Sequence, residues 1–366
     1  MKPIIDGIVG ARPNMMKMAP LARAVNSDAH FELRIVHTGQ HYDYNMSRVF
    51  FDELGLPEPC VNLEAGIETN DQEEQTAGII LRYAKFLKEN ERPCGVVVVG
   101  DVNSTLACSI VAAKRLIPVA HVEAGLRSFD RSMPEEINRI VCDTLSDIHF
   151  VTETSGLINL SREGKNPDHI YFVGNIMIDN LFATLPRIKQ SDVLDRFQLK
   201  QGNYVLVTMH RPSNVDNAAV LKDLMKTFDE LSQEKTIILA AHPRTFERIN
   251  EFGCKFNSPN VILTEPLSYV DNLRLMRDAW CVLTDSGGMQ EECSVLNVPC
   301  LTLRDNTERP VTVELGSSEL VGNKPDKIKA AWKKLAKGNW HLAKEIPLWD
   351  GRTAQRIVEI LRRVWS

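Results

Sequence analysis

Short runs of apolar residues that lack polar alternation recur along this chain, and each is followed by a stretch long enough to form a helix. Strands of this kind are buried on both faces, which is typical of parallel sheets covered by helices. The alternation predicts an α/β fold of the doubly wound type. The predicted strands are residues 4–9, 33–37, 96–99, 118–122, 148–151 and 170–173 in the first half, and residues 204–208, 236–240, 261–264, 281–284 and 299–303 in the second.

Because the pattern restarts after residue 173, the sequence predicts two Rossmann-like domains, and 366 residues are enough for both. The boundary is expected at 174–186, which gives an N-terminal α/β domain of residues 1–175 and a C-terminal α/β domain of residues 176–350. Residues 351–366 are expected to form a closing helix that packs back on the N-terminal domain. Two further helices are predicted at 17–25 and 71–88, the second with Ala77, Ile80, Ala84 and Leu87 on its apolar face.

The charge balance and the cysteine pattern argue against several classes of protein. With 43 Lys and Arg against 48 Asp and Glu, the net charge of -5 argues against a nucleic-acid-binding protein. No apolar stretch reaches the roughly 18 residues of a membrane span, and the first residues lack the apolar core of a signal peptide. The eight cysteines form no CxxC pair, so we expect reduced, buried thiols in a cytoplasmic protein and no metal site.

Polar residues directly after strands are the candidates for a site, since ligands of open α/β sheets bind beyond the carboxyl ends of the strands. After the first strand, Gly10 is predicted to let the chain turn. Arg12 and Lys17 place two cations near a helix start, which suits an anion such as phosphate, although an ordinary turn with solvated charges fits as well. After the second strand, Gln40 and His41 are either functional or simply part of a polar surface loop.

Three carboxylates follow the later strands of the first half. Asp101 comes after the run of valines, Glu123 follows the strand at 118–122, and Glu135 opens the next helix. Carboxylates that converge on one crevice shift one another's pKa values, which prepares acids and bases for proton transfer. The alternatives are a helix-capping role for Asp101 and a favourable charge in the first helical turn for Glu135.

Cationic side chains follow the strands of the second half. His210 and Arg211 can supply a proton-transfer group and an anion clamp, and His242 follows the next strand in the same manner. Each of these loops is also consistent with simple exposure to solvent. The dense charges at 304–310, among them Arg309, are typical of solvent-exposed loops, but beside a diphosphate they can also hold a ligand.

The most specific motif is the sequence Asp-Ser-Gly-Gly at 285–288, which lies between a strand and a helix. Consecutive glycines at a helix start, here Gly287 and Gly288, let backbone N–H groups approach a phosphate closely, and Ser286 adds a hydroxyl. About one turn into that helix, Glu292 is placed to accept hydrogen bonds from ribose hydroxyls. The alternative is a glycine-rich turn that serves only helix–strand packing.

Taken together, these motifs resemble those of one family, the non-hydrolysing UDP-N-acetylglucosamine 2-epimerases, and the resemblance runs through nearly the whole chain. It rests on GARPNMMKMAPL at 10–21, TGQHYD at 38–43, VGDVNST at 99–105, HVEAGLRS at 121–128, PEEINR at 134–139, HRPSN at 210–214, TDSGGMQEE at 284–292 and LRDNTERP at 303–310.

The resemblance implies a fold of the glycosyltransferase B type with the active site in the interdomain cleft, a homodimer and no cofactor. It implies reversible C2 inversion of UDP-N-acetylglucosamine to UDP-N-acetylmannosamine, through elimination of UDP to 2-acetamidoglucal and re-addition. The implied catalytic residues are Asp101, Glu123, Glu135 and His210. The implied substrate-binding residues are Arg12, Lys17, Arg211, His242, Ser286, Gly287, Gly288, Glu292 and Arg309.

The chain also departs from the family pattern at several positions. Pro212 and Ser213 stand where Arg-Glu is common, and Asn14 stands where Glu is common. Many bacterial members bind a second UDP-N-acetylglucosamine as an allosteric activator. Gln40 and His41 match that site, whereas the next two residues, Tyr42 and Asp43, do not. Three other functions are compatible with the motifs: a hydrolysing 2-epimerase that releases N-acetylmannosamine and UDP, a glycosyltransferase of the same fold, and a non-catalytic nucleotide-sugar sensor.

Overall fold

The computed structural model describes residues 2–40, 54–65 and 71–365, and it divides the chain into two compact units. The first unit comprises Met1–Asn180 and Pro347–Ser366, and the second comprises Leu181–Ile346. The division falls within one helix, so the chain passes from the first unit to the second without an intervening loop.

The elements up to that division alternate between strands and helices in the predicted manner. In chain order the described elements are β1 (Ile4–Val9), α1 (Arg12–Asp28), β2 (Glu32–His37), β3 (Val61–Asn62), α2 (Gln72–Glu89), β4 (Gly95–Val99), α3 (Asn103–Lys114), β5 (Val119–Val122), α4 (Pro134–Leu145), β6 (Ile148–Val151), α5 (Thr154–Arg162), a 3-10 turn (Pro167–His169), β7 (Ile170–Phe172) and α6 (Ile176–Ile188).

The remaining elements repeat the alternation. They are α7 (Val193–Arg196), β8 (Tyr204–Thr208), α8 (Pro212–Val215), α9 (Ala218–Leu231), β9 (Thr236–Ala240), α10 (Pro243–Glu251), β10 (Val261–Thr264), α11 (Tyr269–Asp278), β11 (Cys281–Thr284), α12 (Gly287–Leu296), β12 (Cys300–Thr302), α13 (Val311–Glu314), β13 (Ser318–Leu320), α14 (Pro325–Ala336) and α15 (Thr353–Trp365).

Each unit contains one parallel sheet whose strand order reverses in the middle. The first has the order β3-β2-β1-β4-β5-β6-β7 and the second β10-β9-β8-β11-β12-β13. The doubly wound prediction is therefore confirmed. The reversal lies between β1 and β4 in the first sheet and between β8 and β11 in the second. At such a point the flanking loops diverge and leave a crevice, which is where ligands of these folds bind.

The four valines of β4 show why these strands are uniformly apolar. Val96–Val99 are fully buried, with helices on both faces of the sheet. The core of the second unit is built in the same way around β8, β9 and β11, with Trp332 of α14 among its largest buried side chains. The two short strands β3 and β13 were not predicted. Each lies at the edge of its sheet and contains polar residues, so neither forms an apolar run.

Two predicted helices differ from those observed. The helix predicted at 17–25 begins at Arg12, since Pro13 in the first turn needs no N–H partner. Helix α2 begins after Asp71, which caps it, but its buried face is displaced from the predicted one and Ala77 is exposed. Tyr83 lies on the buried face, where its hydroxyl donates to buried Asp6 at 2.9 Å. The buried residues of α2 are Ile79, Tyr83, Phe86 and Leu87.

Helix α15 belongs to the first unit, in which it packs against α1. Asp179 of α6 caps its start, accepting from the backbone N–H groups of Thr353 (3.0 Å) and Ala354 (2.7 Å). Just before α15, the indole of Trp349 donates to the carbonyl of Thr152 at 2.9 Å. The segment after residue 346 is therefore anchored by specific hydrogen bonds as well as by apolar packing.

The thiols and the helix lengths bear on two expectations from composition. All eight cysteines are free thiols and six are buried, whereas Cys60 is exposed. In the three described stretches, none of the helices combines the length and the apolarity needed to cross a bilayer.

Candidate active site

A buried ion pair lies at the carboxyl edge of the first sheet. Lys17 of α1 and Glu123, directly after β5, approach to 2.5 Å between Nζ and Oε2, with 7% and 3% of their side chains exposed. Gly100, directly after β4, has a φ of +67°, and a β-carbon there would lie 2.7 Å from the Lys17 ammonium. Glycine at this position therefore provides both the backbone conformation and the space that the pair needs.

Asp101 pairs with a cation that the sequence did not reveal. Its carboxylate forms an ion pair with Arg139 of α4, and 27% of its side chain is exposed. The capping alternative for Asp101 is wrong, because α3 begins after Val102. The backbone carbonyl of Asp101 also accepts from Asn138 Nδ2 at 2.8 Å, so the start of α4 is fastened to this loop.

Two adjacent glutamates at the start of α4 have different surroundings. Glu136 is buried and accepts from the backbone N–H groups of Ser128 and Phe129, each at 2.9 Å, and from Arg139 at 2.7 Å. Glu135 is half-buried, and its carboxylate has no hydrogen-bond or ion-pair partner among the described residues. Glu136 thus holds the loop before α4 together, and Glu135 is available to a ligand.

The loop after β1 is tightly fitted to its neighbours. Gly10 does not have a positive φ, so the predicted reason for a glycine is wrong. A β-carbon there would lie 2.0 Å from Ser104 Oγ and 2.3 Å from Thr38 Oγ1, and lack of space is the reason instead. Asn14 ties the start of α1 to β4 by donating to the carbonyl of Val99 at 2.6 Å, which a glutamate could not do. Arg12 is half-buried at the first position of α1.

Of the two residues that match the allosteric site of the family, Gln40 and His41, the structure describes only Gln40. The Gln40 side chain accepts at the start of α3, from the backbone N–H of Ser104 at 3.1 Å and from its hydroxyl at 2.6 Å. Gln40 therefore has a structural role as a cap. His41 lies outside the described residues, as do Tyr42 and Asp43.

In the second unit, the carboxylate of Asp285 organises the loop after β8. It accepts from the backbone N–H groups of His210 and Arg211, each at 2.9 Å, and from Asn214 Nδ2 at 2.9 Å. His210 Nδ1 also lies 2.9 Å from it, and 37% of the His210 side chain is exposed. Burial raises the pKa of Asp285, but these hydrogen bonds outweigh burial and hold it below its ordinary value. The carboxylate is thus ionised and orients His210.

His242 lies beside His210 at the next strand end. The two ring centroids are 5.4 Å apart. His242 precedes α10 and caps it, because its Nδ1 accepts from the backbone N–H of Arg244 at 3.3 Å. The two histidines that the sequence predicted independently are therefore brought together.

The glycine-rich segment forms the start of α12, as predicted. Ser286 is its N-cap residue, and Gly287 and Gly288 are its first two residues. A β-carbon at Gly287 would lie 2.8 Å from Arg309 Nη1. Glycine is therefore needed for close packing here, and the guanidinium of Arg309 lies directly against the helix start. Backbone N–H groups and a cation together favour an anion.

Arg309 is part of a buried cluster of charges, so the solvent-exposed alternative for this loop is wrong for Arg304, Glu308 and Arg309. Glu308 accepts from Arg304 and from Arg309, each at 2.7 Å, and lies 3.7 Å from Arg211. Arg309 also forms an ion pair with Glu291. Burial raises the pKa of Glu308, but the three guanidinium groups more than reverse this and lower it far below its ordinary value.

Glu292 has an unpredicted partner on the neighbouring helix. The hydroxyl of Tyr269, the first residue of α11, donates to Glu292 Oε1 at 2.6 Å, and both side chains are buried. Tyr269 gave no signal in the sequence, because it lies outside the motif and 23 positions away.

Known proteins are similar to this chain over nearly its whole length. The family model for UDP-N-acetylglucosamine 2-epimerase matches residues 23–362 of the chain. The UDP-N-acetylglucosamine 2-epimerase of Methanocaldococcus jannaschii is 42% identical over 367 residues, covering 97% of each chain. The crystal structure of the M. jannaschii enzyme in complex with UDP-GlcNAc and UDP matches with a TM-score of 0.90 at 40% identity, covering 98% of this chain and 99% of that one.

Two further proteins show the breadth of the similarity. The UDP-2,3-diacetamido-2,3-dideoxy-D-glucuronate 2-epimerase of Pseudomonas aeruginosa is 37% identical over 324 residues, covering 88% of this chain and 89% of that enzyme. UGT2 of Phytolacca americana, complexed with UDP-2fluoro-glucose and pterostilbene, matches with a TM-score of 0.59 at 12% identity, covering 100% of this chain and 94% of that one. The second likeness concerns the fold alone, and it agrees with the predicted glycosyltransferase B type.

Proposed function

Since this chain belongs to the UDP-N-acetylglucosamine 2-epimerase family, we propose that it interconverts UDP-N-acetylglucosamine and UDP-N-acetylmannosamine by inverting C2. As a member of that family it is an isomerase of nucleotide sugars. The observation that carries the proposal is the buried Lys17–Glu123 pair beside Gly100. It holds a carboxylate in one orientation at the strand ends where an open α/β sheet binds its ligand.

The reaction we propose breaks two bonds of the sugar in each direction. A base removes the C2 proton, the C–H electrons form a C1=C2 double bond, and the C1–O bond breaks with its electron pair leaving on UDP. The products of this step are 2-acetamidoglucal and UDP. In the second step a proton is delivered to the opposite face of C2, and a phosphate oxygen of UDP re-forms the bond to C1. Loss of the leaving group is necessary because the C2 proton alone is too weakly acidic.

Two opposite faces of C2 require two groups for proton transfer, and the first unit supplies three carboxylates. Glu123 is oriented by Lys17 and Asp101 by Arg139, while Glu135 lacks such a partner among the described residues. We propose that these carboxylates carry out the proton transfers. Lys17 then acts chiefly on Glu123, and we propose that Arg12, the first residue of α1, contacts the phosphates.

The second unit supplies the groups that suit UDP. We propose that the start of α12, from Ser286 to Gly288, binds the diphosphate with Arg309 beside it. His210, oriented by Asp285, stabilises the leaving phosphate together with Arg211. His242 lies beside His210, at the carboxyl end of the neighbouring strand. Donors fixed in this way need no rearrangement when charge develops on the leaving group.

Glu292 should contribute to UDP binding and not to the chemistry, because it lies on the helix that starts at the diphosphate site. We expect Glu292→Ala to weaken UDP binding by about 1–3 kcal/mol, as the ribose hydroxyls and the Tyr269 hydroxyl lose an acceptor. Calorimetry with UDP measures this change. At saturating substrate the variant should still exchange solvent deuterium into C2. Glu247→Ala, on an exposed position of α10, serves as the control, and loss of exchange in Glu292→Ala at saturation would contradict the assignment.

The proposed function is tested by the product formed in deuterated water. Purified protein is incubated with UDP-N-acetylglucosamine and followed by proton NMR. We expect a UDP-bound product with inverted C2 that carries deuterium at that carbon. Free N-acetylmannosamine with UDP would instead show a hydrolysing enzyme. Absence of turnover with every UDP-sugar tried would exclude an epimerase and favour a sensor.

The similarity to the P. aeruginosa enzyme favours one further candidate substrate. That relative is named for a UDP-2,3-diacetamido-2,3-dideoxy-D-glucuronate and is 37% identical. We therefore propose measuring kcat/KM for this sugar and for UDP-N-acetylglucosamine side by side. A higher kcat/KM for the diacetamido sugar would identify that sugar as the preferred substrate, and the proposed reaction at C2 would stay the same.

We also propose that the protein is a homodimer. Helices α2 and α3 pack against each other, and two large apolar side chains there are exposed. Leu81 on α2 is 71% exposed, and Leu116, just after α3, is 85% exposed. Light scattering should give twice the chain mass of 41.2 kDa, and Leu81→Asp should shift the distribution towards the monomer. A monomer at micromolar concentration would contradict the proposal.

A further inference from the structure

Two buried histidines lie opposite each other on neighbouring strands of the first unit. His121 on β5 is in register with His149 on β6, and neither residue is more than 3% exposed. His149 donates through Nε2 to the backbone carbonyl of Asp143 at 2.8 Å, and its Nδ1 has no hydrogen-bond partner among the described residues. One N–H is sufficient for this ring, and burial lowers the pKa of His149.

His121, in contrast, has an acceptor at each ring nitrogen. Its Nδ1 lies 2.6 Å from Asp143 Oδ1, and its Nε2 lies 2.8 Å from the carbonyl oxygen of Gly100. A neutral imidazole has one N–H, so both contacts are hydrogen bonds only in the imidazolium form. Burial alone lowers the pKa of His121, but Cys142 and Asp143 outweigh it and hold that pKa well above its ordinary value.

One of these hydrogen bonds reaches the loop of Asp101. Gly100, whose carbonyl accepts from His121, immediately precedes Asp101. The α-carbon of Gly100 also faces the buried ion pair, since a β-carbon there would lie 3.7 Å from Glu123 Oε2. A shift of this carbonyl would therefore move Asp101 and change the packing around Glu123.

The other hydrogen bond reaches the loop of Glu123. Asp143 on α4 accepts from the backbone N–H of Gly125 at 3.0 Å and from Arg127 at 2.7 Å. Gly125 lies two positions after Glu123, with a φ of +80°, and a β-carbon there would collide with the backbone of Gly156. Asp143 thus fixes the turn that follows Glu123, and His121 connects that turn to the loop after β4.

We infer that His121 is a positioning residue for the proposed epimerisation, holding the loop of Asp101 at a fixed position relative to the loop of Glu123. The inference rests on the proposed function. Proton transfer to two faces of one carbon needs two groups at a set spacing, and a displacement of 1 Å is enough to lower a rate about 10²-fold. His121 acts through Gly100 and Asp143, and it is not a catalytic residue.

Two substitutions separate the two hydrogen bonds. The amide of His121→Asn can replace Nδ1 and keep the contact with Asp143, whereas that of His121→Gln reaches the position of Nε2 and keeps the contact with Gly100. We expect kcat to fall about 10–100-fold in His121→Asn, because the loop of Asp101 is released. In His121→Gln we expect kcat to stay near the wild-type value, because Asp143 still holds the turn after Glu123 through Gly125 and Arg127. KM should be unchanged in both. The free energy of unfolding should follow the opposite order. Both variants remove the imidazolium charge, but only His121→Gln also removes the hydrogen bond to Asp143 Oδ1.

The opposite orders of kcat and stability are the result that a purely structural role would not produce. His149→Gln is the matched control, since it alters the neighbouring buried ring, and we expect it to lose stability and keep kcat. The inference is overturned if kcat follows stability across the variants, or if His121→Asn stays within about threefold of wild type. If only one variant folds, we expect it to be His121→Asn, which keeps the contact with Asp143. Its kcat alone then decides, and a value within about threefold of the wild type overturns the inference. A wild-type protein without epimerase activity overturns the proposed function instead, so the two failures are distinguishable.

Discussion

We expect Glu123→Gln to lower the rate of C2 epimerisation by about 10²–10⁴-fold while leaving the affinity for UDP unchanged. The substituted side chain keeps the size of Glu123 and an acceptor for Lys17, so the protein should still fold, although the lost charge beside buried Lys17 lowers its stability. What is lost is the ability to take up or deliver a proton. Deuterium exchange at C2 measures the loss, and calorimetry with UDP measures the binding.

The matched control for this prediction is Asp6→Asn. Asp6 is another fully buried carboxylate of the same sheet, paired with Arg34 at 2.6 Å, and it lies on β1 away from the strand ends. Asp6→Asn should lower stability and retain exchange. The role given to Glu123 is wrong if Glu123→Gln exchanges deuterium within tenfold of the wild type (about 1.4 kcal/mol) or loses UDP affinity instead.

The second large effect is expected in the buried charge cluster of the second unit. Glu308→Gln removes the carboxylate that Arg304 and Arg309 both contact, and it leaves their guanidinium groups buried and close together. Removing one partner of a buried ion pair typically costs about 3–5 kcal/mol of the free energy of unfolding. Urea denaturation measures this loss. The control is Glu319→Gln, whose ion pair with Lys334 is partly exposed and should contribute at most about 1 kcal/mol.

The same cluster predicts a dependence of stability on pH. Because the pKa of Glu308 is lowered in the folded protein, its contribution is fully present above its unfolded pKa of about 4.3. It is lost as the pH falls below that value towards the folded pKa. We expect the wild type to lose stability in this acidic range and Glu308→Gln to lose less of it. Equal acid sensitivity in both proteins would show that the three arginines do not stabilise the ionised carboxylate.

The sequence predicted where most strands lie better than it predicted the side-chain contacts made at their carboxyl ends. Periodicity and apolar runs depend on burial of a whole face, so strands such as β1, β8 and β11 were predicted with their observed bounds. The polar residues after them follow from the rule for open sheets. For that reason the candidate carboxylates and the glycine-rich helix start were found without a structure.

The partners of those residues were not predictable in the same way. Lys17 and Glu123 are 106 positions apart, and Lys17 was interpreted as a cation for phosphate when it is paired with a carboxylate. The contact between Asp101 and Arg139 depends on how α4 packs against the end of β4. Local periodicity contains no information about such distances. The buried face of α2 is a related case, since the hydrogen bond from Tyr83 to Asp6 joins residues that are 77 positions apart.

The attachment of α15 has a consequence for how the chain acquires its structure during synthesis. The first unit includes Pro347–Ser366, and Arg362 of α15 pairs with Asp28 across 334 positions. Vectorial translation therefore supplies every residue of the second unit before the first unit has its last helix. Domains usually fold in order from the N-terminus, but here the N-terminal unit is the one that must wait. A nascent chain stalled before residue 347 would leave uncovered the face of α1 that α15 packs against, and transiently exposed apolar surface of this kind favours aggregation.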